Sequence, residues 1–169
     1  MNWKTAIVTL SDSGYAGDRE DKSGPLIKEI LMKDGSYEVA EEILLPDDQM
    51  QIEECLIRLA DTQKMDLILT TGGTGFARRD CTPEATMAVA TRNAPGIAEA
   101  MRYYSLKITP KAMLSRGASV IRNQTLIVNL PGSPKAVREN LECVLPALPH
   151  GLEILNGITA NCAEKPIEK

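Results

Sequence analysis

Apolar and polar positions divide the chain into short apolar runs that alternate with longer stretches of helical periodicity. Thr5–Leu10 (TAIVTL) is a run of strand length and predicts a first buried strand. Tyr37–Leu45 predicts a second, partly exposed at Glu41 and Glu42. Leu67–Thr71 predicts a third. Ala118–Arg122 and Thr125–Leu130 are strand-like runs separated only by Asn123-Gln124, a spacing that predicts a tight hairpin. Between them, Leu26, Ile27, Ile30 and Leu31 share one face of a helix that Asp34-Gly35 stops. Ile52, Cys55, Leu56 and Leu59 mark a second helix. Glu84–Thr91 reads as helix until Asn93-Ala94-Pro95-Gly96 breaks it. Ile97–Leu106 follows, with Ile97, Met101 and Tyr104 inward and Arg102 on the polar side. Pro110–Leu114 predicts a short helix, and Val137, Leu141, Val144 and Leu145 mark a longer one. Pro146–Leu155 predicts the last helix, with an irregular tail from about Asn156.

Strands and helices in alternation predict an α/β protein, a three-layer α/β/α sandwich. Its sheet is mostly parallel, with one antiparallel hairpin strand. At 169 residues the chain is read as a single domain over 1–169 with room for a sizeable core.

Composition narrows the function classes. The net charge of −4 argues against nonspecific nucleic-acid binding, so a polyanionic ligand needs a local positive site. A single Phe and a single Trp leave little for base stacking. No apolar run approaches a membrane span, and Met1-Asn2-Trp3-Lys4 leads into a strand pattern rather than a signal peptide. Cys55, Cys81, Cys143 and Cys162 are widely separated and form no metal-ligand pattern, which fits reduced thiols in a cytoplasm. His150 is the only histidine, so no His pair exists to hold a metal. Nothing around Cys81 marks it as an activated nucleophile.

Candidate chemistry gathers in loops that each follow a predicted strand: Ser11–Gly24, Pro46–Asp48, Thr71–Pro83 and Pro131–Lys135. In a sheet of this kind those loops meet at one edge, where ligands bind. The third reads Thr71, Gly72, Gly73, Thr74, Gly75, then Arg78, Arg79, Asp80, with Thr82-Pro83 opening a helix and Thr82 as its candidate cap. Glycines there permit positive φ and close approach, and successive N–H groups can form a nest for an anion. Taken alone, the loop suits either a phosphate with its metal or a tight turn carrying solvated charges. Asp47 fits two roles, a cap for the helix it precedes or a carboxylate facing the cleft of Asp80. Ser133 and Lys135 stand at a second strand–glycine–helix junction able to hold an anion.

TTGGTGFARRDCTPEAT resembles the signature of the MogA/MoaB-type molybdopterin-binding family, and the resemblance extends from Thr5 to about Leu155. It includes SDSG after the first strand, DKSG before the first helix, PDD before the second, and LSRGASVIRNQTLIVNLPGSPKAVRENL near the end. The SD pair and ARRD are more similar to the adenylyltransferase subgroup than to the MoaB-like one, which includes members without that activity. The resemblance implies transfer of an adenylyl group from ATP to the terminal phosphate of molybdopterin, with Mg²⁺ required, in molybdenum cofactor biosynthesis. It implies Asp47 and Asp80 as catalytic, metal-holding residues. Thr71, Gly72, Gly73, Thr74 and Gly75 would hold the nucleotide, and Ser11, Asp12, Ser133 and Lys135 would line the cleft for pterin or phosphate. It further implies a homotrimer and a separate downstream molybdate-insertion protein.

Overall fold

The computed structural model describes residues 2–158; Cys162 and the rest of the tail beyond 158 lie outside them. Strands β1 (Trp3–Leu10), β2 (Tyr37–Leu45), β3 (Leu67–Thr71), β4 (Arg92–Asn93), β5 (Ser119–Arg122) and β6 (Thr125–Leu130) form one sheet in the order β2-β1-β3-β6-β5-β4. The pairs β1–β2, β1–β3 and β3–β6 are parallel, and β5 runs antiparallel to both its neighbours. The expected hairpin turns at Asn123, which takes a left-handed φ of 54°.

Every residue of β3 and β6 is buried, as their near-continuous apolar sequence requires of strands covered on both faces. Alternation decides which layer each side chain meets. Ile7, Leu67, Leu69, Leu126, Val128 and Leu130 face a layer of four helices. These are α2 (Ser23–Asp34), α5 (Pro95–Leu106), α6 (Pro134–Val144) and α7 (Leu148–Leu155). Ala6, Val8, Leu10, Ile68 and Ile127 face α3 (Gln49–Ile57) and α4 (Thr82–Ala88) on the other side. A fully buried Leu such as Leu69 contributes about 1.5–3 kcal/mol through area removed from water. The three-layer architecture is therefore the expected one.

Several local expectations are corrected. The segment after β1 is not all loop: Asp12–Tyr15 forms the short helix α1, and Ser11 Oγ accepts from Gly14 N at 3.0 Å. The helix α4 ends at Ala88, because Thr91 N turns to bond Ile121 O at 2.9 Å and β4 joins the sheet edge. Thr82 does not cap α4; its hydroxyl donates to Gly72 O at 2.9 Å. Tyr104 is not inward but 39% exposed, and Ala98 takes the buried position with Met101.

The chain leaves β1 toward β2 on one side and enters β3 on the other, so the exits of β1 and β3 adjoin at the point where strand order reverses. Backbones pass closely there: a Cβ on Gly72, whose φ is 97°, would lie 2.2 Å from Leu10 O. A Cβ on Gly35, the α2 terminator with φ 80°, would meet nothing within 4 Å. Gly35→Ala is therefore expected to cost about 1–2 kcal/mol in denaturant unfolding, from the dihedral alone. Gly72→Ala is expected to cost about 2–5 kcal/mol, since overpacking adds to it. Equal losses would contradict the close approach.

Far from that edge, Arg122 Nε and Nη2 donate to the two carboxylate oxygens of Asp61 at 3.0 and 2.5 Å. This bond holds the Asp61 carboxyl below the usual carboxylate range. A lowered carboxyl stabilises the fold above its unfolded value and loses that contribution as pH falls through the folded value. Asp61→Asn should lower the melting temperature at pH 7, and the difference from wild type should close below about pH 4, where unfolded carboxylates take up protons.

Candidate active site

The glycine loop is held by its carbonyls. Gly72 O accepts from Thr82 Oγ1, and Gly73 O from Thr82 N at 3.2 Å. Thr74 O accepts from Arg116 N at 2.9 Å, and Gly75 O from Arg116 Nε at 2.7 Å. Across a trans peptide the next N–H points the opposite way. The N–H groups of Gly73, Thr74, Gly75 and Phe76 thus turn away from these partners, and among the described residues none has an acceptor. Gly72 and Gly73 reach this arrangement with φ of 97° and 63°. Four successive outward donors make a nest suited to an anion.

Two carboxylates border that nest. A Cβ on Gly73 would lie 2.8 Å from Asp47 Oδ1, and one on Gly75 would lie 2.9 Å from Asp80 Oδ2. The two aspartates, far apart in sequence, therefore converge on glycines two positions apart. Asp48 caps α3, its Oδ1 accepting from Gln51 N at 3.0 Å, which leaves Asp47 free of the capping role. Asp47 instead pairs with the β1 exit: Asp12 N donates to Asp47 Oδ2, and Asp47 N to Asp12 Oδ1, both at 3.0 Å. Asp47 Oδ1 is buried without a hydrogen-bond partner. Burial, and then the charges of Asp12 and Asp80, push the Asp47 carboxyl above its usual range. Arg79 donates to both oxygens of Asp12 at 2.9 Å and holds that carboxyl below its usual range.

The remaining expected residues divide. Ser11, Thr71, Gly72 and Ser133 line a cleft of about 410 Å³ at the exits of β1, β3 and β6. Thr71 Oγ1 donates to Pro131 O at 2.7 Å, and Ser133 Oγ accepts from Ala136 N at 3.3 Å as the cap of α6. Gly73, Thr74, Gly75, Asp12, Asp47 and Asp80 border the next part of the same loop system rather than that cleft. Lys135, expected in the cleft, is a correction: it is 81% exposed on the first turn of α6, 3.9 Å from Glu139, and does not line the cleft. Position after the cap turns it outward. Arg78 is exposed.

Sequence reasoning missed two residues. Asp21 Oδ2 accepts from Thr9 Oγ1 at 2.7 Å, and its Oδ1 accepts from Ser23 N and Gly24 N at 2.9 and 3.1 Å, shaping the cleft wall. An aspartate just before a Ser-Gly-Pro helix start carries a capping signal that could have identified it. Arg116 supports the nest from 41 residues away, and no local pattern announces that.

The family model described as the probable molybdopterin binding domain matches residues 6–150. A Helicobacter pylori protein (strain J99) named molybdopterin adenylyltransferase is 42% identical over 168 residues, 96% of this chain and 93% of its own length. An Escherichia coli K12 protein of the same name is 46% identical over 160 residues, 94% of this chain and 80% of its own. The crystal structure of the molybdopterin biosynthesis enzyme MoaB from Thermus thermophilus is 50% identical and superimposes with a TM-score of 0.87, covering 92% of this chain and 97% of that one. With the family model matched over residues 6–150 and these relatives similar over nearly the whole chain, the chain belongs to the molybdopterin-binding family of molybdenum cofactor biosynthesis.

Proposed function

We propose that this protein is a molybdopterin adenylyltransferase that uses ATP. The observation that carries the reading is the convergence of Asp47 and Asp80 on a loop of four outward N–H groups. The relatives' names supply the substrate, molybdopterin, and the transferred group. The terminal phosphate oxygen of molybdopterin attacks the α-phosphorus of ATP. A new P–O bond forms, the bond from the α-phosphorus to the bridging oxygen breaks, and pyrophosphate leaves. A phosphate monoester is already largely ionised at neutral pH, so no strong general base is required. That suits a chain whose one histidine, His150, lies on α7 and lines neither the nest nor the cleft.

The difficulty is bringing two anions together and stabilising charge on the leaving group, a task of positioning and electrostatics. In this reading the N–H groups of Gly73–Phe76 hold nucleotide phosphates. Ser11, Thr71 and Ser133 orient the molybdopterin side. Arg79 neutralises Asp12, which in turn fixes Asp47 through the paired backbone bonds. Asp47 and Asp80 suit Mg²⁺: one has a buried oxygen without a partner, and both are hard oxygen donors beside the cradle. An ion held by these two carboxylates would take its other ligands from phosphate and water. When bound, Mg²⁺ supplies charge neutralisation on the phosphates.

The assembly we propose is a homotrimer that passes its product to a separate molybdate-insertion protein. Exposed Tyr103, Leu106, Ile108 and Met113, on α5 and beyond, provide an apolar surface in keeping with self-association. No helix among the described residues is long and apolar enough to cross a membrane.

Pyrophosphate release from ATP should require both molybdopterin and Mg²⁺, and chelation should abolish it. Asp47→Asn and Asp80→Asn should each lower kcat by about 10²-fold or more, the loss of one transition-state contact to charge. Because Asp47 carries a partly buried charge opposed by its neighbours, metal-free Asp47→Asn should also melt above wild type at pH 7. A carrier that only binds molybdopterin would leave ATP intact and be indifferent to both substitutions.

A further inference from the structure

Arg116 lies just before β5, yet its polar contacts run to the glycine loop, the Asp80 turn and the start of α4. Its Nε donates to Gly75 O at 2.7 Å and its Nη2 to Asp80 O at 2.8 Å. Its Nη1 donates to the Glu84 carboxylate on the first turn of α4. Its own backbone N–H donates to Thr74 O. One planar group thus ties together three points of the loop system, including peptides on both sides of the Phe76–Arg79 turn. A guanidinium can do this because its donors diverge in a fixed plane; an ammonium cannot reach the same acceptors with the same geometry.

The consequence follows from peptide geometry. Capturing Gly75 O aims the Phe76 N–H the opposite way, and capturing Thr74 O does the same for the Gly75 N–H. Capturing Asp80 O fixes the backbone that carries the Asp80 carboxylate. Glu84 offsets the guanidinium charge and sets its plane. Thr82 performs the matching task for Gly72 O and Gly73 O from the other end.

We propose that Arg116 is the positioning residue of the phosphate cradle: its guanidinium sets the direction of the Phe76 N–H group and the placement of Asp80, without touching substrate. This rests on the reading of Gly73–Phe76 as the nucleotide-phosphate site.

The test is steady-state kinetics on the full chain with MgATP and molybdopterin varied separately. Arg116→Lys should raise the KM for MgATP about tenfold or more while the KM for molybdopterin stays within about twofold. Arg116→Ala should show a larger rise, partly reversed by millimolar guanidinium ion and not by methylammonium. Glu84→Gln retains the guanidinium and should raise the same KM by about threefold, which covers the case in which Arg116→Ala does not fold. An unchanged KM for MgATP in Arg116→Lys and Glu84→Gln overturns the positioning role. So does a parallel rise for both substrates that guanidinium does not reverse, the sign of a general structural fault. Wild-type protein that releases no pyrophosphate overturns the adenylyltransferase reading itself, and the role of Arg116 with it.

Discussion

The structure depends on how closely β3 can leave the sheet past the end of β1. Gly72 passes Leu10 O at a distance that excludes a Cβ, and a Cβ on Gly132, at the β6 exit, would meet Gly72 Cα at 3.3 Å. Three strand exits therefore crowd onto one glycine. That crowding permits the rest: the loop turns at once into a left-handed stretch, and its carbonyls fall to Thr82 and Arg116. Its amides are left to face outward. A side chain at this point would separate the strand ends and with them Ser11, Asp47 and the nest.

Charge is arranged around that constraint in a way that disfavours the empty protein. Asp12, Asp47 and Asp80 lie near one another, and only Asp12 has a cation of its own, in Arg79. Asp47, pinned between the backbone of Asp12 and the α-carbon of Gly73, has a buried oxygen that nothing in the chain satisfies. Stability given up at such a point is ordinary for a site whose partners arrive with the substrate. Arg116 and Glu84 supply a compensating pair on the carbonyl side of the loop, away from the outward amides, where they hold geometry without cancelling the negative charge at the centre.

The fold was legible because its signals are local. Continuous apolar runs over Leu67–Thr71 and Thr125–Leu130, helical spacing in Ile52–Leu59 and Leu26–Leu31, and the stop at Gly35 each need only a few neighbours to read. Asp47 could not be resolved in the same way, because Asp47 and Asp48 have equal claims on the helix start by spacing alone. Only the bond from Gln51 to Asp48 separates them. Thr82 looked like a cap for the same reason, yet tertiary contact with Gly72 took its hydroxyl. Arg116 and Asp21 act on distant backbone, and Lys135 turns to solvent two positions past the cap. None of these outcomes is encoded within a short window. β4, two residues long at a sheet edge, has too little sequence to carry a strand pattern.

We propose that the outward amides of Gly73–Phe76 and the carboxylates of Asp47 and Asp80 form one site for a metal-bound nucleotide. A crystal structure of the chain with a non-hydrolysable ATP analogue, Mg²⁺ and molybdopterin tests it most directly. Phosphate oxygens are expected within hydrogen-bond distance of those amides, with a cation touching both carboxylates. Phosphates bound elsewhere, with the four amides facing only water and the aspartates without a shared ion, would contradict it.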